Sequence, residues 1–214
     1  MIGWFRRIKK LSPLDGYNKW AASYHEEANP VKKLSDEFIA NNLPELSGKV
    51  VLDAGCGTGI FCSIAVKQHA AFVKGVDLSP AMIDEARKNC PEAAFVCGDL
   101  GSIEIEKSNY DVVICGLVLG HIESFNHVLA KLVAALKPGG SIIVTDFHPY
   151  QTTMKAKRTF RDPSSRKTFE ISHTLHELDE YFSVLNDLRV NVVTFSAPAY
   201  NNAPVIFGIH GVAS

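Results

Sequence analysis

The chain has 214 residues, is 46% hydrophobic and carries a formal charge of −1. That length allows one well-buried core with a modest cap, and the near-zero charge argues against a broad polyanion-binding surface, so nucleic acid is not expected as a partner. Five scattered cysteines without a C-x-x-C pair suit a reducing, cytoplasmic setting, and no apolar run approaches the ~20 residues that span a bilayer.

The opening segment, MIGWFRRIKK, mixes Ile2, Trp4, Phe5 and Ile8 with Arg6, Arg7, Lys9 and Lys10. It lacks the apolar core and cleavage site of a signal peptide. Two readings are open: a short helix or frayed end against the domain, which is favoured, and membrane-surface contact through residues 1–11. Tyr17 to Tyr24, YNKWAASY, predicts an aromatic-rich helix, with Asn29-Pro30 marking its end or a turn. A second helix is expected from Val31 to about Asn41, with Leu34, Phe38 and Ile39 on one face.

Lys49 to Gly59, KVVLDAGCGTG, is the stretch around which the rest is organised. Val50, Val51 and Leu52 read as a strand buried on both faces of a parallel sheet. Gly55, Gly57 and Gly59 let the backbone turn and approach a ligand without Cβ interference. Thr58 is placed to begin a helix through Ile60, Phe61, Ile64 and Ala65, whose first N–H groups face the space above the strand end.

Strands and helices then alternate. Phe72 to Val76 is a strand ending at Asp77, and Ser79-Pro80 caps a helix to Asn89. Phe95 to Cys97 is a strand ending in Gly98-Asp99. Tyr110 to Cys115 is the next, followed by a helix from about Ser124 to Leu136. Lys137-Pro138-Gly139-Gly140 stops that helix, and Ser141 to Thr145 is a strand ending at Asp146. This alternation predicts a doubly wound α/β sheet. From Gln151 to Ser172 the chain is polar and basic, with a turn at Asp162-Pro163-Ser164-Ser165, and reads as an inserted hairpin over the strand ends. A helix near Leu175 to Leu185 and strands near Leu188 to Phe195 and Val205 to His210 complete the sheet.

In such sheets ligands bind beyond the carboxyl ends of the strands. Asp77 falls about twenty residues past the glycine turn, where a carboxylate accepts from ribose hydroxyls. That position alone suits NAD equally. The turn, however, is G-x-G-x-G rather than G-x-G-x-x-G, and Asp99 ends the third strand, where it can accept from an adenine amino group. A cradle lined by acids also suits a cationic ligand better than a pyrophosphate.

In order, VLDAGCGTG, GVDLS, CGD, YDVVICGLVLGHI and LKPGG resemble the class I S-adenosylmethionine-dependent methyltransferases. Within them the pattern is most similar to the small-molecule branch that includes quinone-biosynthesis enzymes. The resemblance implies a mostly parallel, Rossmann-like sheet of seven strands with the last, Val205 to His210, antiparallel. It implies one methyltransferase domain over residues 1–214: a helical cap (1–48), a cofactor-binding core (49–147), a substrate-side insertion (148–175) and a C-terminal helix and strands (176–214). It also implies S-adenosyl-L-methionine as methyl donor and S-adenosyl-L-homocysteine as product.

Carried over position by position, Gly55 and Gly57, with Cys56 between them, lie against the methionine moiety, and Asp77 holds the ribose beside Leu78 and Met82. Asp99 and Leu100 flank the adenine. Cys115 and Gly116 border the sulfonium, and Tyr17, Trp20 and Tyr24 close over the cofactor. Asp53 is expected at the loop, capping N–H groups.

Methyl transfer needs a base only where the acceptor must lose a proton. His148, beyond the fifth strand, is the first candidate, with His121 and His173 behind it, because histidine titrates near neutrality. No Asn/Asp-Pro-Pro-Tyr follows the fourth strand, which disfavours methylation of adenine or glutamine amino groups. A small-molecule acceptor, through oxygen or carbon, is the expected partner of a monomer or homodimer. An RNA or protein methyltransferase and a non-catalytic cofactor-binding module are the rival readings.

Overall fold

The computed structural model describes residues 8–24 and 29–214. Its centre is a seven-stranded sheet built from β2 (Val50–Ala54), β3 (Phe72–Asp77), β4 (Ala94–Cys97), β5 (Tyr110–Gly116), β6 (Leu136–Phe147), β9 (Val190–Ser196) and β12 (Ile206–Ala213). The strand order is β4-β3-β2-β5-β6-β12-β9. Every pairing from β4 to β6 is parallel, and β12 runs antiparallel to both of its neighbours. The order reverses beside β2, so the glycine turn leaves the sheet at the switch point where α/β folds bind ligands.

Alternation along the central strands feeds two cores. Leu52 and Ala54 on β2, Val113 and Cys115 on β5, and Ile142 and Val144 on β6 pack under α5 (Phe125–Ala135) and α7 (Leu178–Asp187). Val51, Val112, Ile114 and Ile143 face the other way, under α2 (Pro30–Asn42), α3 (Ile60–Lys67) and α4 (Pro80–Asn89). Burial on both faces is why these strands read as unbroken apolar runs.

Local chemistry sets the helix starts. Ser79 accepts from Met82 N at 3.2 Å ahead of Pro80, as its sequence predicts. Ser12 caps the first helix, α1 (Pro13–Trp20), in the same way, so that helix starts earlier than Tyr17 and ends in a 3₁₀ turn at Ala21–Ser23. Thr58 does not open α3. Gly59 does, at φ 81° and without a side-chain cap, and a Cβ there would lie 3.2 Å from Ala86 Cβ of α4. The LKPGG segment is the first part of β6 rather than a separate stop. The last helix begins at Leu178, where Glu177 and Glu180 form a capping box.

The insertion holds a short helix, α6 (Pro149–Thr153), and the expected hairpin of β7 (Thr159–Arg161) and β8 (Thr168–Ile171). The described part of the opening segment is a strand, β1 (Lys9–Leu11), not a helix, and it adds parallel to β8. Residues 1–7 of the proposed membrane-contact segment lie outside the described residues. A small hairpin of β10 (Ala199–Tyr200) and β11 (Ala203–Pro204) precedes the last strand. Among the described residues no helix is long and apolar enough to cross a membrane.

Candidate cofactor and acceptor site

Beyond the carboxyl ends of β2 to β5 lies a cavity of about 430 Å³, inside the range of small-molecule sites. Its floor is the glycine turn. Asp77 Oδ2 accepts from Gly57 N at 2.9 Å, and Oδ1 accepts from Ser79 N at 2.8 Å. One carboxylate therefore fixes both the loop after β2 and the start of α4. Each oxygen keeps acceptor capacity for a ligand hydroxyl. Burial raises the Asp77 pKa, and the two backbone N–H donors oppose that shift.

Gly55 and Gly57 both have positive φ, at 83° and 51°. A side chain on Gly57 would meet only Tyr24 Cε1, at 3.9 Å, and would project into the cavity. A ligand can thus approach this backbone closely, which is the use of glycine that its spacing predicts. Leu117, just past β5, is a left-handed non-glycine residue at φ 58°, with its N–H on Thr145 O at 2.8 Å. Strain of this kind persists where surrounding structure enforces it, often at ligand sites.

Of the residues expected to bind the cofactor, Tyr17, Tyr24, Gly55, Gly57, Asp77 and Leu78 line the cavity. Met82, Asp99, Leu100 and Gly116 line it as well. Asp99 Oδ1 accepts from Gly101 N at 2.8 Å, which leaves Oδ2 for a ligand amine. Four residues lie elsewhere. Cys115 is fully buried under α5 and α7, because alternation along β5 turns it to that core and leaves Gly116 and Leu117 at the cavity. Trp20 stacks on Phe160 of β7, with centroids 5.0 Å apart. Asp53 and Cys56 sit behind the glycine turn, in a recess that shares Gly55, Gly57 and Gly116 with the main cavity.

Asp53 is buried, and the Cys62 thiol donates to its Oδ2 at 3.5 Å. Burial lifts its pKa to about 7 from an ordinary 3.8. The folded chain then keeps a proton that the unfolded chain releases, so stability falls as pH rises from near 4 through 7 and levels off above. Asp53→Asn removes this titration. Its stability relative to wild type is expected to rise by on the order of 2–4 kcal/mol between about pH 4 and pH 8. Urea denaturation across that range checks this.

The three candidate histidines separate. His148 caps α6, its Nδ1 accepting from Tyr150 N at 3.2 Å, and lines neither the cofactor cavity nor the one beside it. His173 lies 3.4 Å from Thr152 Oγ1, in a small recess with Asp146. Only His121 reaches the cofactor cavity. Ser172 O, 2.7 Å from Nδ1, can only accept, so the ring proton sits on Nδ1. Nε2 accepts from Tyr17 O–H at 2.9 Å and from Arg158 Nη1 at 2.6 Å. Burial, and then the neighbouring Arg158, push the His121 pKa well below its usual 6.5. Its lone pair is already engaged, so the histidine acts as a neutral post rather than a free base.

Arg158 also donates to Asp146 Oδ1 at 3.4 Å, and Asp146 accepts from Gly120 N and Phe147 N. Neither residue stood out in the sequence. Arg158 sat in the polar, basic stretch read as an inserted hairpin, yet its side chain is 8% exposed. The chain Asp146–Arg158–His121–Tyr17 ties β6, the residue just before β7, the turn after β5 and α1 into one wall.

Residues 51–140 match the methyltransferase domain family. The match is to a methyltransferase domain over 90 of the 214 residues. The methyltransferase is 28% identical over 181 residues to an uncharacterized Haemophilus influenzae protein, covering 78% of this chain and 71% of the other. It is 28% identical over 143 residues to a Coxiella burnetii ubiquinone biosynthesis O-methyltransferase, covering 65% of this chain. The chain thus spans about half of the Coxiella enzyme's length, 54%. The fold matches magnesium protoporphyrin IX methyltransferase from Synechocystis, solved with bound S-adenosylmethionine. That match has a TM-score of 0.65 at 19% identity, over 93% of this chain and 91% of the other. The sequence resemblance implies S-adenosylmethionine as the methyl donor. The cavity walls fit it: hydroxyl acceptors at Asp77, an amine acceptor at Asp99, and open backbone at Gly57.

Proposed function

We propose that the methyltransferase acts on a small molecule, through an oxygen or carbon acceptor. One observation carries this reading. A second cavity, of about 290 Å³, abuts the cofactor cavity and shares Tyr17, Tyr24 and Leu117 with it. Its size is at the lower end for small-molecule sites, and the β7–β8 hairpin and the start of α2 wall it. The cavity argues against a module that keeps the donor site and has lost its acceptor. The Coxiella relative's O-methyltransferase name supports an oxygen acceptor.

When bound, the cofactor supplies an electrophilic methyl group. The chain's own residues hold it through Asp77, Asp99 and the glycine turn, set the two cavities on either side of Tyr17 and Leu117, and exclude water with the α1–hairpin wall. The five free cysteines accord with a reducing compartment. Incubating the protein with a metabolite extract and methyl-labelled donor tests the reading. Label is expected in a compound of low molecular mass, and label found only in RNA or protein would contradict it.

A further inference from the structure

The second cavity has a chemistry of its own. Its walls carry three cations, Lys32, Lys157 and Arg158, and no acid among the described residues. Each is ion-paired, Lys32 with Asp36 at 2.6 Å, Lys157 with Glu170 at 2.8 Å and Arg158 with Asp146 at 3.4 Å, by an acid that does not itself line the cavity. Arg158 spends Nη1 on His121 and Nη2 on Asp146, which leaves further guanidinium N–H groups for a ligand. Four aromatic residues also line it: Tyr17 and Trp20, nearly parallel with ring centroids 6.1 Å apart, and Tyr24 and Phe147.

Trp20 adds a second, independent observation. Its Nε1 is buried and has no hydrogen-bond partner, although the residue is only 7% exposed and lines the cavity. Leaving a buried donor unpaired is costly, and such a group commonly marks a place for a ligand. Cations, flat aromatic walls and an orphan donor together describe a receptor for a small planar anion.

Building on the methyltransferase reading above, we propose that this cavity binds a small aromatic carboxylic acid and that the methyl group goes to a carboxylate oxygen. A carboxylate is already ionised at neutral pH, so its methylation needs no base. That agrees with a site whose one histidine among the described residues, His121, has its lone pair occupied. The step balances. An oxygen lone pair forms the C–O bond, the methyl–sulfur bond breaks, and its electron pair stays on sulfur. Sulfonium and carboxylate become thioether and ester, with no proton released. Because this neutralises opposite charges, a dry cavity favours it.

Benzoate and its neutral isostere benzamide are the probes. The chain has two tryptophans, Trp4 and Trp20, so a Trp4→Phe protein reports on Trp20 alone. With S-adenosylhomocysteine saturating, benzoate is expected to change Trp20 fluorescence and to bind at least ~10-fold more tightly than benzamide. Lys157→Gln and, by calorimetry, Trp20→Phe are each expected to weaken benzoate about 3–10-fold while S-adenosylhomocysteine affinity holds within about twofold. In turnover with aromatic acids, the labelled product is expected to release methanol on base treatment, as an ester does. Equal affinity for benzoate and benzamide, or a base-stable labelled product, would overturn the proposal. Retained S-adenosylhomocysteine binding in that case leaves the methyltransferase reading standing. Its absence from the folded wild type would instead remove the reading itself.

Discussion

Gly55→Ala is expected to lower the unfolding free energy by about 2–5 kcal/mol and to abolish measurable donor binding. Two costs add. Gly55 sits at φ 83°, where an L side chain costs roughly 1–2 kcal/mol. The new Cβ would also fall on Val118 Cγ2 and lie 3.2 Å from Val118 Cβ. Valine is branched at Cβ and stiff, so it cannot swing away cheaply, and overpacking of this kind costs about 1–3 kcal/mol. Both residues line the cofactor cavity, so any backbone shift that relieves the clash moves the floor under the ligand. Gly55→Ala with Val118→Ala should recover the steric share and leave the φ share. Urea denaturation of the three variants separates the two. A single Gly55→Ala protein as stable as wild type would contradict the turn geometry.

Arg158→Met is expected to cost about 3–5 kcal/mol, the usual penalty for stranding one member of a buried ion pair. Asp146 is 1% exposed and would keep only neutral donors, chiefly Gly120 N–H and Phe147 N–H. Adding Asp146→Asn should restore part of the loss, because neither charge then remains. The same change frees His121 Nε2 from its cationic neighbour, and the imidazole pKa should move up toward its usual value. Urea denaturation of the single and double variants and histidine NMR check these outcomes.

What the sequence revealed, and what it hid, follows from range. The β2 strand, the glycine turn and Asp77 could be read because their determinants lie within about thirty residues and obey local rules of φ, burial and N–H satisfaction. Ser79-Pro80 declared its helix for the same reason. Ser12-Pro13 offered an equal signal, and the aromatic run after it drew attention one turn too late. Cys115 illustrates a register effect. Strand membership was correct, but alternation decides which face a residue takes, and one position separates the core from the cavity.

Arg158 could not have been found. Its meaning comes from His121, 37 positions away in sequence, and nothing in the run from Lys155 to Lys167 marks one cation as buried. Likewise, placing Tyr17 and Tyr24 at the donor cavity but Trp20 against Phe160 depends on a hairpin contributed by a distant segment. The acceptor side of the site is assembled from such long-range contacts, whereas the donor side is nearly continuous in sequence.

The central claim is that the cavity above the glycine turn holds S-adenosylmethionine through Asp77. Calorimetric titration of S-adenosylhomocysteine into wild type and Asp77→Ala, both verified as folded by circular dichroism, tests it most directly. One site per chain is predicted for wild type, and a dissociation constant about 10–100-fold weaker for the variant, equivalent to roughly 1–3 kcal/mol. An identical constant for the two proteins, or no binding to folded wild type, would contradict the account.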